Sequence, residues 1–282
     1  MKLFRHGESD KEKPGIVDAK GGLRDLSAHI GDIDEAALSS ESLKKLRAID
    51  PAALPLVQGG TRIGPCVGGI SKIIAIGLNY SDHAEEAGMP IPAEPIIFMK
   101  ATSAICGPND DVITPRDSTQ LDYEVELGIV IGTRANYVSE ETALDYVAGY
   151  CIANDVSERG FQIGRPGGQW DKGKGCDTFA PVGPWMVTKD EIPDPQNLDL
   201  EMDVNGEKRQ RGNTSRMIFN IRQLVADVSK YMSLLPGDII ITGTPPGVGM
   251  GFNPPKFLQP GDEMRLSISG LGEQRQKVVS VR

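Results

Sequence analysis

A β-rich α+β fold with few helices is predicted by the sequence, with a small β-containing module ahead of a larger second part. The chain has 33 Gly and 20 Pro in 282 residues, spread along its length, which suits short strands joined by turns. Runs rich in Ile and Val repeatedly end at Pro, Gly, Asn or Asp, as strands do. Helical periodicity is well supported in one segment, between residues 218 and 235.

Residues 1 to about 70 form the predicted amino-terminal module. Its strand candidates are residues 2–5, 15–18 and 23–26, and a polar helix is expected around residues 39–48. A cluster of Pro and Gly between positions 51 and 65 marks its end. We therefore place a domain boundary near residue 70.

The second part, residues 71–282, is long enough to hold a full hydrophobic core. Strong strand signals lie at residues 72–78, 95–100 and 121–132. The helix over 218–235 should end at Pro236-Gly237, and a shorter helix is expected to start at Ser139 as its N-cap. Two Pro-Gly-Asp turns, at 236–238 and 260–262, each precede a further strand.

Acidic side chains outnumber basic ones, with 39 Asp plus Glu against 30 Lys plus Arg and a formal net charge of −9. The pI near 5.0 and the lack of a long basic run argue against nucleic-acid binding. No stretch approaches the roughly 18 apolar residues of a membrane-spanning helix. The first residues also lack the apolar core of a signal peptide. We expect a cytoplasmic protein with neither a nucleic acid nor a membrane as partner.

Cysteine and histidine content restricts the possible metal chemistry. The cysteines are far apart, have no CxxC pair and are expected to be reduced and structural: Cys66, Cys106, Cys151 and Cys176. The three histidines are too few for a His-rich metal site: His6, His29 and His83. Carboxylates remain as the available ligands.

Residues 121–131 carry an informative alternation. If they form one strand, the odd positions give an all-apolar face, and the even positions start with Asp122, Glu124 and Glu126. A solvated acidic face is one interpretation, because charged residues are mostly exposed. A cation site is the other, because residues 151–155 read as a short buried strand that ends on Asp155. Three carboxylates without His or thiolate suit Mg²⁺, Mn²⁺ or Ca²⁺ rather than zinc.

Five segments of the second part resemble successive motifs of the fumarylacetoacetate hydrolase family. They are DYEVELGIVIG (122–132), NDVSERGFQ (154–162), WDKGKGCDTFAPVGPW (170–185), NGEKRQRGNTSRMIFNI (205–221) and TGTPPGVG (242–249). The resemblance implies a mixed β-sandwich roll, usually a homodimer, with Mg²⁺ or Mn²⁺ and no organic cofactor. It also implies that Glu124, Glu126 and Asp155 hold the ion, which favours the cation site over the solvated face.

His83 is the only histidine of the second part, and Glu86 follows it by three residues. Residues three apart share a face of a helical turn, so the carboxylate could orient the imidazole to take a proton from water. The resemblance implies a water-activating pair of this kind in short family members. Residues 81–95 have the Gly and Pro content of a mobile lid that would carry His83 over bound substrate.

A lysine is expected at the substrate as well. On the resemblance, Lys174 rather than Lys172 matches the lysine that contacts the substrate oxyanion. The ammonium suits a developing enolate, and the flanking glycines leave room for close approach.

The substrate carboxylate is expected to meet two further segments, again on the resemblance. Arg159 and Gln162 correspond to family residues near this group, and Arg offers a bidentate fork for it. Gly243 and Thr244 follow a predicted strand and would supply backbone N–H groups and a hydroxyl.

Together these residues predict a hydrolase that acts on a small 2-oxo acid. In this hypothesis the substrate is a 2,4-dioxo acid, either a 2,4-diketo-3-deoxy sugar acid or an acylpyruvate. Water activated by His83 and Glu86 attacks C4, the C3–C4 bond breaks, and the ion and Lys174 stabilise the pyruvate enolate.

The same site also suits other reactions that need a stabilised enolate. The alternatives are ureidoglycolate lyase, oxaloacetate decarboxylase and 2-hydroxy-dienoate isomerase. A non-catalytic cation-binding module is a further alternative, but the presence of His83, Glu86 and Lys174 together argues against it.

Two features refine the resemblance. Residues 1–27 are similar to bacterial members named 2,4-diketo-3-deoxy-L-fuconate or L-rhamnonate hydrolases, many of which are also named ureidoglycolate lyase. Long, animal-type members use a fourth carboxylate ligand from nearer the amino terminus, and this chain offers no match. It therefore resembles the short, three-ligand type.

Overall fold

The computed structural model describes residues 1–281, which form 17 β-strands and six α-helices. The first eleven strands are β1 (Lys2–His6), β2 (Lys13–Val17), β3 (Leu23–Asp25), β4 (Ile73–Gly77), β5 (Ile96–Lys100), β6 (Ile105–Cys106), β7 (Val112–Thr114), β8 (Leu121–Asp122), β9 (Val125–Ile131), β10 (Val147–Asn154) and β11 (Ser157–Glu158). The others are β12 (Ala180–Thr188), β13 (Asp199–Val204), β14 (Glu207–Asn213), β15 (Ile239–Ile241), β16 (Glu263–Ile268) and β17 (Gly272–Ser280). The α-helices are α1 (Glu35–Leu38), α2 (Ser40–Arg47), α3 (Ser81–Glu86), α4 (Arg159–Gln162), α5 (Asp171–Lys174) and α6 (Ile221–Tyr231). The expectation of a strand-rich α+β fold with few helices is confirmed.

A ten-stranded mixed sheet forms the centre of the molecule. Its order is β3-β2-β1-β12-β10-β9-β15-β4-β5, with β6 also pairing with β12. The β15–β4 and β6–β12 pairs are parallel, and the other pairs in this sheet are antiparallel. Strands β1 to β3, predicted as part of a separate module, therefore continue the main sheet through the β1–β12 pair.

A five-stranded sheet of order β14-β13-β16-β17-β7 packs against the centre of the first. Strands β9 and β10 contact β13, β16 and β17 across the interface, and every residue of β9 and β10 is buried. Strands covered on both faces are mostly apolar along their length, instead of alternating apolar and polar residues. The two strands that lead into the acidic cluster thus lie in the most enclosed part of the fold.

The predicted continuous strand over residues 121–131 is instead two strands, β8 and β9, separated by Tyr123 and Glu124. The ladder is interrupted because the Glu124 N–H donates to the Asn154 side chain at 3.2 Å and the Val125 N–H donates to Gln210 at 2.9 Å. These side-chain bonds replace sheet bonds at the break.

The predicted long helix is α6, shortened at both ends. Asn220 caps it in a capping box with Gln223, and an apolar side with Ile221, Leu224 and Val228 is buried. The helix predicted from Ser139 is wrong. The Ser139 hydroxyl accepts the Thr142 N–H in a turn, and only a 3-10 helix, Ala143–Tyr146, follows.

Within residues 1–281, no helix is long and apolar enough to cross a membrane. The cysteines are unpaired thiols, and three of them, Cys66, Cys106 and Cys151, are buried.

Candidate active site

Three carboxylates meet where β9 and β10 come together. One oxygen from each of Glu124, Glu126 and Asp155 lies within 4.8 Å of the others. The strand register sets Asn154 opposite Val125, and the next residue, Asp155, donates its N–H to the Glu124 carbonyl at 2.9 Å. Glu124 is 7% exposed and Glu126 is 1% exposed, so the interpretation as a solvated acidic face is wrong.

Three buried cations surround this cluster. Lys174 Nζ donates to Glu124 Oε2 at 2.9 Å and to Asp155 Oδ2 at 2.7 Å. Lys100 Nζ donates to the other oxygen of Asp155, and Arg159 Nη2 lies 2.6 Å from Glu124 Oε1. In the described part of the chain, Glu126 forms no ion pair with a Lys or Arg, and its carboxylate accepts the Gly243 N–H at 2.8 Å.

The two glutamates consequently differ in their electrostatics. Burial, together with the charges of Asp155 and Glu124, raises the pKa of Glu126 well above its ordinary value. Burial also acts to raise the pKa of Glu124, but Lys174 and Arg159 outweigh it and lower the pKa to about 2. Glu126 is therefore the member of the cluster that lacks a compensating charge.

The donor set fits a hard divalent cation. A fourth carboxylate, Asp122, pairs with Arg159 at 2.9 Å. The three cluster carboxylates and Asp122 therefore form one buried network with the three cations. A carboxylate oxygen has spare lone pairs beside one hydrogen bond, and carboxylates are the preferred ligands of Mg²⁺ and Mn²⁺. Glu124, Glu126 and Asp155 are the residues that would hold such an ion.

The two lysines of the WDKGKG segment lie in different surroundings. Lys174 is buried at the carboxylate cluster, whereas Lys172 is exposed. Gly173 allows this arrangement, because a Cβ there would lie 2.4 Å from the Glu158 carbonyl oxygen and 2.5 Å from the Gln162 nitrogen. Helix α5 thus packs directly on α4 and β11, which carries Lys174 inward.

His83 and Glu86 form the expected pair on α3. His83 Nδ1 lies 3.0 Å from Glu86 Oε2, and Glu86 also accepts the Gly247 N–H at 3.0 Å. Burial acts to raise the pKa of Glu86, but the hydrogen bonds from His83 and Gly247 outweigh it, and the pKa is lowered. Glu86 is therefore a carboxylate at neutral pH, able to orient the imidazole.

A cavity of about 480 Å³ brings most of the predicted residues together. Those that line it are His83, Glu86, Glu124, Glu126, Arg159, Gln162, Lys174 and Thr244. Asp155 and Gly243 do not line the cavity but bond to Lys174 and Glu126, which do. His6 and His29 are not among its lining residues.

The residues expected at the substrate carboxylate are held by protein contacts. Arg159 Nη1 donates to the Gln162 side chain at 3.0 Å, and the Thr244 hydroxyl donates to the Val125 carbonyl at 2.9 Å. Gly243 has φ +93°, and a Cβ there would lie 2.8 Å from the Cβ of Asn79. Their roles toward a substrate stay predictions.

Three residues of the network were not expected from the sequence as site residues. Lys100 is the last residue of β5 and lies on the same buried face of the strand as Phe98. Strand alternation could therefore have indicated that Lys100 is buried. Asp122 belongs to the acidic side of the predicted strand and accepts the N–H groups of Gly249 and Met250. Gln210 on β14 had no local signal, and its amide donates to the Thr244 hydroxyl at 2.7 Å.

The segment predicted as a lid begins with α3 and continues as an exposed loop. Met89 and Ile91 in this loop are 50% and 62% exposed. Met89 also lines the cavity. Lid movement stays a prediction.

Comparison with known proteins gives consistent matches along the chain. Residues 72–279 match the family model described as fumarylacetoacetate (FAA) hydrolase C-terminal. A Burkholderia ambifaria protein is 62% identical over the full length of both chains, and its provisional name is simply hydrolase.

Solved structures are similar over the whole chain as well. Fumarylacetoacetate hydrolase from Exiguobacterium antarcticum is 34% identical with a TM-score of 0.86, and all of both chains is covered. Maleylpyruvate hydrolase from Sphingobium sp. SYK-6, in complex with manganese(II) and pyruvate, is 30% identical with a TM-score of 0.82 and the same full coverage. A 5-carboxymethyl-2-hydroxymuconate delta-isomerase from Mycobacterium smegmatis is 33% identical with a TM-score of 0.78, again with all of both chains covered.

Proposed function

The chain belongs to the fumarylacetoacetate hydrolase family, and we propose that it is a divalent-metal-dependent hydrolase that cleaves the C3–C4 bond of a 2,4-dioxo acid. The products are pyruvate and a carboxylic acid. The main support for the proposal is that a single cavity is lined by the His83–Glu86 pair and by two of the cluster carboxylates, Glu124 and Glu126. A water-activating base and a site for an enolate-stabilising ion are the two requirements of this reaction.

The charge balance of the cluster supports a 2-oxo acid as the bound end of the substrate. A Mg²⁺ or Mn²⁺ ion at Glu124, Glu126 and Asp155 supplies Lewis-acid stabilisation of developing negative charge. With all seven side chains ionised, the four carboxylates and three cations of this buried network leave one negative charge, and a bound divalent ion would make the network positive by one. One substrate carboxylate matches this charge.

His83 and Glu86 perform the proton transfer. Glu86 holds Nδ1 of the imidazole at 3.0 Å, which leaves Nε2 to accept a proton from water. The water oxygen bonds to C4, the C3–C4 bond breaks, and its electron pair becomes the pyruvate enolate. Protonation at C3 then gives pyruvate, and the distal part leaves as a carboxylic acid.

Lys174 stabilises the negative charge that develops in this step. Its ammonium lines the cavity beside Glu124 and is fixed by two carboxylates, so it is already oriented before the reaction begins. Arg159, which also lines the cavity, adds a second positive charge. The two positive charges would stabilise an anionic transition state.

A panel of substrates tests this proposal. Pyruvate release is measured with acylpyruvates, 2,4-diketo-3-deoxy-L-rhamnonate, 2,4-diketo-3-deoxy-L-fuconate, oxaloacetate and ureidoglycolate, each with Mg²⁺ and with EDTA. We expect metal-dependent release from the 2,4-dioxo acids. Turnover of ureidoglycolate alone, giving glyoxylate and urea, would replace the hydrolase with the lyase reaction.

Isomerisation of a 2-hydroxy-dienoate is a second candidate function, favoured by the similarity to the Mycobacterium smegmatis isomerase. Isomerisation and decarboxylation need a stabilised enolate but no attacking water. A His83→Ala variant therefore separates them from hydrolysis. If the variant loses hydrolysis but retains oxaloacetate decarboxylation, the hydrolase proposal is supported. Equal loss of both activities would argue against a specific role of His83 in water activation.

A further inference from the structure

We propose that the cavity selects substrates whose far end carries no charge, an inference that rests on the proposed function. The relevant surface lies around the His83–Glu86 pair. It consists of the lining residues that we call the distal wall: Ala87, Met89, Val248, Met250 and Gly251.

The distal wall is placed next to the pair by chain connectivity and by close contacts. Ala87 and Met89 follow Glu86 directly. Gly247, which donates its N–H to Glu86, precedes Val248, and a Cβ on Gly251 would lie 3.2 Å from the Glu86 carboxyl carbon. If the 2-oxo acid end lies at the carboxylate cluster and C4 lies at His83, the atoms beyond C4 meet this wall.

Within residues 1–281, none of the side chains that form the distal wall is cationic. The two cations that line the cavity, Arg159 and Lys174, are each held by carboxylates of the cluster. Arg216 pairs with Asp82 on α3 at 3.8 Å. Arg209, whose guanidinium lies over the Phe252 ring and 3.0 Å from Glu207, does not line the cavity. The groups in contact with this wall are instead carboxylates: Glu86 lies against Gly251, and Asp122 accepts the Met250 N–H at 3.0 Å.

Charge and solvation therefore both act against an anionic far end. A carboxylate placed against methionine, valine and alanine side chains would lose water without gaining an ion pair. It would also be repelled by the ionised Glu86. The single positive charge of the network with its ion bound would already be matched by the first substrate carboxylate, so a second carboxylate would have no counterpart.

A matched pair of ligands tests this inference without turnover. Isothermal titration compares 2-oxoheptanoate with 2-oxoheptanedioate on the Mg²⁺-loaded protein, because the two differ only in a methyl or a carboxylate at the far end. We expect 2-oxoheptanoate to bind at least ~10-fold more tightly. Equal or tighter binding of the dianion would overturn the inference.

Substitution of the distal wall supplies the reciprocal test. Met250 is 40% exposed, so a longer polar side chain has room there. Met250→Arg should shift the affinity ratio toward 2-oxoheptanedioate by at least ~10-fold, whereas the neutral control Met250→Gln should not improve binding of the dianion. Met89→Arg serves as the second variant if Met250→Arg does not fold. An unchanged ratio in a folded Arg variant would contradict the assignment of this wall.

Cleavage assays with the corresponding 2,4-dioxo acids separate this inference from the proposed function. If neither 2,4-dioxoheptanoate nor 2,4-dioxoheptanedioate gives pyruvate while the binding preference holds, the hydrolase proposal fails and the specificity stands. If both are cleaved with equal kcat/KM, the hydrolase stands and the specificity is overturned.

Discussion

At the scale of single residues, we expect the proposed cation binding to depend most on Glu126. It is buried, and it differs from Glu124 and Asp155 in having only a backbone N–H as its partner. Because no Lys or Arg compensates it, ionisation of this buried carboxyl group is unfavourable without a bound ion, and this is the physical reason for expecting an ion at this point. Sequence alternation identified Glu124 and Glu126, but the missing partner of one of them became visible only in the fold.

Glu126→Gln tests this role. The amide keeps the shape of the side chain but loses the charge, so Mg²⁺ affinity should fall by at least ~100-fold and metal-dependent turnover should disappear. The control is Glu263→Gln, which changes an exposed carboxylate on β16. Isothermal titration with Mg²⁺ and Mn²⁺ gives the result, and undiminished turnover of Glu126→Gln in EDTA would contradict the metal assignment.

The role of Lys100 in the buried network could not be predicted from the sequence. Lys174 was identified through a motif, but Lys100 closes a strand of apolar residues and has no motif of its own. Both lysines bond to the buried Asp155. Burial lowers the pKa of Lys100, whereas at Lys174 the charges of Asp155 and Glu124 outweigh burial and raise it. Contact with one carboxylate rather than two accounts for the difference.

Lys100→Met should destabilise the protein by about 3 kcal/mol, because it removes one partner of a fully buried ion pair. Urea unfolding of the metal-free protein measures the change. The control Lys208→Met alters an exposed lysine on β14 and should leave stability within about 0.5 kcal/mol of the parent. A stable Lys100→Met variant would show that the pair contributes little.

At the scale of elements, the positions of several strands could be predicted from the sequence, but the break between β8 and β9 could not. Apolar runs gave the positions of β4, β5 and β9, but only the second half of β10, which begins at Val147 rather than at Cys151. The break at Tyr123 and Glu124 depends on side chains of Asn154 and Gln210, which are distant in sequence. The helix expected from Ser139 failed for a related reason, because a Ser side chain can close a turn as readily as it caps a helix.

Helix α6 is the element whose boundary depends most clearly on one side chain. Asn220→Ala removes the side-chain acceptor for the Gln223 N–H and should lower the free energy of unfolding by about 1 kcal/mol. Asn220→Asp keeps an acceptor at the cap and should retain most of the stability. Equal unfolding midpoints for all three proteins in urea would argue against the cap as the cause.

At the scale of the whole molecule, the amino-terminal residues extend the main sheet. Composition suggested a boundary near residue 70, and β1 nevertheless pairs with β12, with Leu3 and Phe4 fully buried. Pairing between strands so far apart in sequence leaves no local trace, so composition alone could not reveal it. The mixed roll itself could be expected only through the family resemblance.

Deletion of residues 1–70 should therefore destabilise residues 71–282. It would expose the edge of β12 and the apolar surface now covered by Leu3, which favours aggregation. Size-exclusion chromatography and thermal unfolding of the fragment measure the effect against the full chain. A monodisperse fragment with a cooperative transition at the parent temperature would instead indicate an independent domain.

Oxygen labelling tests whether water attacks C4 with the assistance of His83 and Glu86. The Mg²⁺-loaded protein cleaves 2,4-dioxopentanoate in H₂¹⁸O, and mass spectrometry follows the acetate formed. We expect one ¹⁸O atom in each acetate molecule and no labelled acetate with His83→Ala. Substrate consumption without acetate, or the same rate of labelled acetate from His83→Ala, would contradict this mechanism.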